Sequence, residues 1–196
     1  MRKKSHISLA GYLVHQIPSQ ELRKYKKAFY IGNILPDCKP SFLTTKHEFS
    51  ATYAMVQDRI RDLSNDATLL NSNTRSFCIQ LGEVVHYLAD YFTFPHNLTY
   101  DGGFKDHCYY EKDLKFGLRH YIRSGQAAKD NLITKSFHKV EDLFLFIHRS
   151  HQDYLMKKRN VQEDCEYIVR VCHIVVQGIL AIINRNEAQK KVVVAV

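Results

Sequence analysis

Apolar side chains recur along most of this chain at the alternating three- and four-residue spacing of amphipathic helices. The clearest run is Phe77, Leu81, Val84, Val85, Leu88 and Tyr91, which predicts a helix from about 74 to 92. Ser5 is placed to cap a helix over 6–17 that Pro18 stops. Ser19 then opens a second over 20–31, with Leu22, Tyr25, Ala28 and Phe29 on one face. Phe49, Tyr53, Val56 and Ile60 mark a helix over 48–63, and further helices are expected over 107–123 and 136–157. The last begins at Asn160 and runs to about 184. Its apolar positions (Ile168, Val169, Cys172, Val175, Val176, Ile179, Leu180, Ile183) are dense enough for a central, buried helix.

Turn-forming residues separate these segments: 32–46 holds Gly32, Pro36 and Pro40, 64–73 is polar around a short apolar patch, and 92–106 holds Pro95 and Gly102–Gly103. Residues 125–134 read as a connector, and the β-prone ending reads as a frayed or packed tail from about 186. No repeat, low-complexity stretch or linker interrupts the pattern. The expectation is an all-α fold, one multi-helix bundle domain over 1–196.

Composition sharpens this picture in three places. Only 8 Gly and 4 Pro in 196 residues favour long helices over many short strands. The formal charge of +8 favours anionic partners, whether nucleic acid, lipid head groups or phosphorylated metabolites. The basic clusters at 2–4, 23–24, 26–27 and 157–159 nevertheless read as solvated helix faces. The five Cys are odd in number and contain no CxxC pair, which points to reduced thiols and away from a Cys-bound zinc. No run of about 18 apolar residues is present, so no transmembrane segment is expected. Residues 7–14 are too short and too interrupted for a signal core, so the expected localisation is cytoplasmic.

The candidate chemistry lies in the middle of the chain. His86 and Asp90 are four apart on the best-marked helix, and that spacing stacks both side chains on one face. His107 and Glu111 repeat the arrangement, and His96 lies in the loop between, after Pro95. One such pair alone reads as a surface ion pair. Two pairs and a loop His in this order can converge on metal between two helices. Zinc takes imidazole nitrogen and carboxylate oxygen, and a carboxylate can also bridge two cations. His86 sits among Val84, Val85, Tyr87 and Leu88, where a buried unpaired imidazole would be costly; a metal answers that cost.

The run HYLADYFTFPHN (86–97) followed by HCYYE (107–111) resembles the core motif of the zinc-dependent phospholipase C family, typified by a small secreted bacterial enzyme and by clostridial alpha-toxin. SHISLAGYL (5–13), GNILPD (32–37) and KHEF (46–49) are similar to the family's upstream ligand segments. The resemblance implies the helical fold shared with single-strand-specific nucleases, and two or three Zn2+ ions. Asp37, His47, His86 and Asp90 would hold one ion and His96, His107 and Glu111 the second. His6 would hold a third, with Asp90 bridging. In secreted members an N-terminal Trp completes the third site. This chain has no Trp, leaving that site to water or to the amino terminus of Met1. The resemblance further implies attack on a phosphodiester by metal-activated water, with Asp37 orienting or deprotonating it.

Other residues are read more plainly. His148 and His151 are taken for the surface, and His15 lies on a different helical face from His6. His120, His138 and His173 join no constellation, Cys38 and Cys108 are neighbours of ligands, and Phe92, Phe94, Tyr109 and Tyr110 are core aromatics. The first functional expectation is a phospholipase C-like phosphodiesterase acting on a phospholipid head group or a soluble phosphoester. A single-strand nuclease or nucleotidase is the alternative. There the last ligand is usually Asp after a longer gap, so Glu111 and the short 96-to-107 loop favour the first. A metal-binding member without catalysis is the third. The oligomeric state is left open.

Overall fold

A computed structural model describes residues 1–39, 47–65, 73–131, 135–157 and 160–194, without the side chains of 191–194. The described residues form helices and turns with no strand. The chain order is α1 (Lys3–Gln16), α2 (Gln20–Lys24), α3 (Lys26–Ile34), a 3₁₀ turn (Pro36–Cys38), α4 (Phe49–Asn65), α5 (Thr74–Tyr91), a second 3₁₀ turn (Phe94–His96), α6 (Phe104–Arg123), α7 (Gln126–Asp130), α8 (Val140–Leu155) and α9 (Val161–Val194). The all-α expectation holds. The expected turns at 40–46, 66–72 and 132–134, and the last two residues, lie outside the described residues.

Helix starts follow local hydrogen bonding. Ser19 Oγ accepts the Leu22 amide and Asn73 Oδ1 the Ser76 amide, so α2 and α5 begin where their caps stand. Several boundaries differ from the pattern reading. Ser5 is not a cap: α1 starts at Lys3 and buries Ser5 within it. The expected helix over 20–31 breaks at Tyr25, and its second half continues to Ile34. α6 starts a turn before His107, because Asp106 accepts the amide of Gly103 and closes the N-terminus there. At the other end α9 continues as helix through the segment read as a tail, whose Glu, Ala, Gln and Lys residues favour helix and contain no breaker.

α9 is the bundle's axis, packed by α4, α5, α6 and α8. Ile168, Val169, Val171, Cys172, Val175, Val176 and Ile179 are all buried. By length and a mean hydropathy of 1.7 it could cross a bilayer, but most of that stretch is covered by the other helices, as befits a core helix. α3 and α5 make the closest crossing, where Gly32 and Gly82 face each other. A Cβ on Gly32 would stand 2.0 Å from the Ile79 carbonyl oxygen, and one on Gly82 would stand 2.4 Å from that of Phe29. Backbone therefore lies on backbone at this point, which only glycine permits.

Candidate metal centre

Six segments converge at one place in this bundle. α1 brings His6 and the amino group of Met1, the first 3₁₀ turn brings Asp37, and His47 stands two residues before α4. α5 carries His86 and Asp90 on one face, the second turn ends at His96, and α6 carries His107 and Glu111. The structure thus brings together all eight residues singled out from the sequence. Three groups have donor atoms within 4.8 Å of one another: His6, Asp37 and His86; His47, His86 and Asp90; and His96, His107 and Glu111.

Asp90 is the hub. Its Oδ2 lies 3.0 Å from His47 Nδ1, 3.3 Å from His86 Nε2 and 3.7 Å from His96 Nδ1, and its Oδ1 lies 3.5 Å from His6 Nε2. Glu111 Oε1 is 3.3 Å from both His96 Nε2 and His107 Nε2. Asp37 Oδ1 is 3.6 Å from His86 Nε2 and 3.9 Å from His47 Nδ1, with a side chain 10% exposed against 1% for Asp90. The Met1 ammonium sits 2.5 Å from Asp90 Oδ1, 3.3 Å from Glu111 Oε1 and 3.2 Å from His96 Nε2. A positive charge at that point faces donors of both the second and the third group.

The donor set suits a metal on two counts. His86 Nδ1 is 2.8 Å from the carbonyl oxygen of Asn33, so it carries the proton and donates it. Nε2 then faces Asp90 and Asp37, and lies 3.0 Å from His47 Nδ1. An imidazole anchored through one nitrogen, with carboxylates and a second imidazole gathered around the other, has the usual posture of a metal ligand. His6 is fully buried, stacked on His86 at 4.0 Å, and neither of its ring nitrogens has a hydrogen-bond partner. Such orphaned polar atoms cost about 1–3 kcal/mol each unless something satisfies them.

Titration tendencies follow the same geometry. Burial, seconded by His86, pushes His6 down to about 3, so its imidazole is neutral. Burial alone would raise Asp90, but the Met1 ammonium and the surrounding imidazoles hold it well below the usual carboxylate range. Glu111 is likewise lowered against its burial, by hydrogen bonds from His107 and His96. Asp37 moves upward because of its burial. Two carboxylates are therefore ionised and His6 is a free base, the states a cation requires.

The surroundings correct some of the plainer readings. His151 is not a surface residue: it is buried, stacked on Phe49 at 4.1 Å, and its Nε2 donates to Asn97 Oδ1 at 2.9 Å. Tyr109, read as core, is 65% exposed. Asp164, which the sequence reading did not single out, is buried and accepts hydrogen bonds from the Phe94 amide and from the hydroxyls of Tyr110 and Tyr154. On the α4 side, buried Glu83 is paired by Lys39 at 2.8 Å and by Arg59.

No curated protein and no solved structure matches the chain. Residues 5–161, which hold all eight candidate ligands, match the family model of zinc-dependent phospholipase C, and the chain belongs to that family of zinc-dependent phosphoesterases.

Proposed function

We propose that this protein is a phospholipase C-like phosphodiesterase with two or three zinc ions. Asp37, His47, His86 and Asp90 hold the first and His96, His107 and Glu111 the second. His6 takes part in a third with Asp90, and the amino group of Met1 stands beside it. The observation that carries this reading is His86, whose Nδ1–H is committed to Asn33 and whose Nε2 faces the carboxylates of Asp37 and Asp90. Bound zinc supplies Lewis acidity toward a phosphoryl oxygen and lowers the pKa of water. The chain's own residues do the rest. Asp90 and Glu111 supply negative charge, the Asn33 carbonyl fixes the imidazole of His86, and Asp37, the more accessible carboxylate of the first position, orients the attacking water and takes its proton. Five unpaired thiols agree with a reducing, cytoplasmic setting.

One observation favours a nuclease as the second reading. On α6, Lys105, Tyr109, Lys112, Phe116, the half-buried Arg119 and Arg123 recur at helical spacing and combine four cations with two aromatics, the residue types that track a single strand. Parallel assays on phosphatidylcholine micelles, single-stranded DNA, nucleoside monophosphates and bis-p-nitrophenyl phosphate separate the two. Hydrolysis of the synthetic diester and the lipid, with DNA untouched, is the expected result. Absence of all four activities in zinc-loaded protein refutes the catalytic reading.

A further inference from the structure

We propose that Asp164 and His151 are positioning residues for the second metal position, holding from the C-terminal helices the two ends of the turn that presents His96. The inference rests on the ligand assignment above. His96 closes a three-residue 3₁₀ turn, an element too short to keep its own geometry. The first amide of that turn, Phe94 N–H, donates to Asp164 Oδ2 at 2.9 Å. Tyr110, which adjoins Glu111 on α6, donates to the same oxygen at 2.9 Å, and Tyr154 of α8 donates to Oδ1 at 2.7 Å. One carboxylate oxygen therefore ties the His96 turn to the helix that carries His107 and Glu111.

The other end of the turn is held independently. Asn97 donates through Nδ2 to the carbonyls of Tyr91 and Thr93, at 3.2 and 2.9 Å, which fixes which way its amide faces. Its Oδ1 then accepts from His151, whose ring is locked against Phe49. Asp164 belongs to α9 and His151 to α8, helices that contribute no candidate ligand. Burying a carboxylate is expensive, and it is sustained here by three converging donors of which two belong to ligand-bearing segments. This is the supporting layer that sets ligand orientation, whose loss costs metal affinity.

The test titrates the full chain with Co2+, following visible absorption, and with Zn2+, counting bound ions, alongside thermal unfolding of each protein. Asp164→Asn and His151→Phe should each weaken one of the two tightest metal equivalents by about 10–100-fold and leave the other in place. Tyr154→Phe removes a donor to Asp164 but leaves the His96 turn and α6 untouched; it should lower stability without altering either equivalent. His151→Gln keeps an N–H donor and should recover part of the affinity. The proposal is overturned if both equivalents weaken in step with stability, if Tyr154→Phe matches Asp164→Asn, or if every variant binds as the wild type does. The Asp164 and His151 arms are separate, so either decides should one variant not fold. A wild type that takes up no second metal overturns the ligand assignment itself, and this inference with it.

Discussion

Replacing Gly32 by alanine tests whether the α3–α5 crossing, rather than the ligands alone, builds the first metal position. The new methyl would stand 2.0 Å from the Ile79 carbonyl oxygen, 2.9 Å from its carbon and 3.0 Å from the Gly82 Cα. Ordinary contact begins at 3.4 Å and all three neighbours are backbone, so no side chain can turn aside. The helices must part by roughly an ångström, a backbone shift of the kind that overpacking forces at a cost of about 1–3 kcal/mol. Alanine's better helix propensity returns about 1 kcal/mol. A net loss of about 1 kcal/mol is expected. The displacement also carries Asn33, the next residue, away from His86, which donates to its carbonyl at 2.8 Å. Metal affinity at the first position should therefore fall as well. Gly11→Ala is the control, since its methyl meets only the Tyr30 hydroxyl at 3.6 Å and should be neutral or stabilising. Urea unfolding of the metal-free proteins with a parallel zinc titration gives both quantities. A Gly32→Ala protein as stable and as metal-avid as Gly11→Ala would refute the reasoning.

Purified protein never exposed to chelator should carry two or three zinc ions per chain by elemental analysis. Stripping them should lower the unfolding temperature by roughly 10 °C, given about 4 kcal/mol of linkage at a thousandfold saturation. Asp90→Asn should reduce hydrolysis of bis-p-nitrophenyl phosphate at least about 100-fold, because Asp90 faces four of the imidazoles; intact turnover would remove it from the centre. Burial pushes the Asp164 carboxyl up from 3.8 to about 6, so the native state holds this proton more tightly than the unfolded chain does. Its contribution is then complete below pH 4 and lost as pH rises through 6, about 3 kcal/mol in all. The stability difference between wild type and Asp164→Asn should fall by that amount between pH 4 and 7, and a flat difference would contradict the assignment.

What the sequence disclosed about this site follows from how local each relation is. His86 with Asp90, and His107 with Glu111, are a helical turn apart, so their shared faces depend only on helix periodicity. The misplaced start of α6 did not disturb the second pair, because lengthening a helix at its N-terminus leaves the i,i+4 relation intact. The supporting contacts are of another kind. His86 is anchored by a backbone carbonyl 53 residues away, and any residue at position 33 would display one. Asp164 meets Phe94 across 70 residues and His151 meets Asn97 across 54, pairings that only the bundle's topology creates. One signal for these residues was nonetheless present. His151 falls on the buried stripe of Phe144, Ile147 and Tyr154, and Asp164 leads that of Ile168, Cys172 and Val175. His6 likewise precedes Leu9 and Leu13 on the buried face of α1. A titratable side chain on an apolar stripe has to be satisfied by something, since leaving it unpaired would cost a sizeable share of a stability of only 5–15 kcal/mol. Of these three, His6 lies at the metal centre, and His151 and Asp164 lie against the segments that present its ligands.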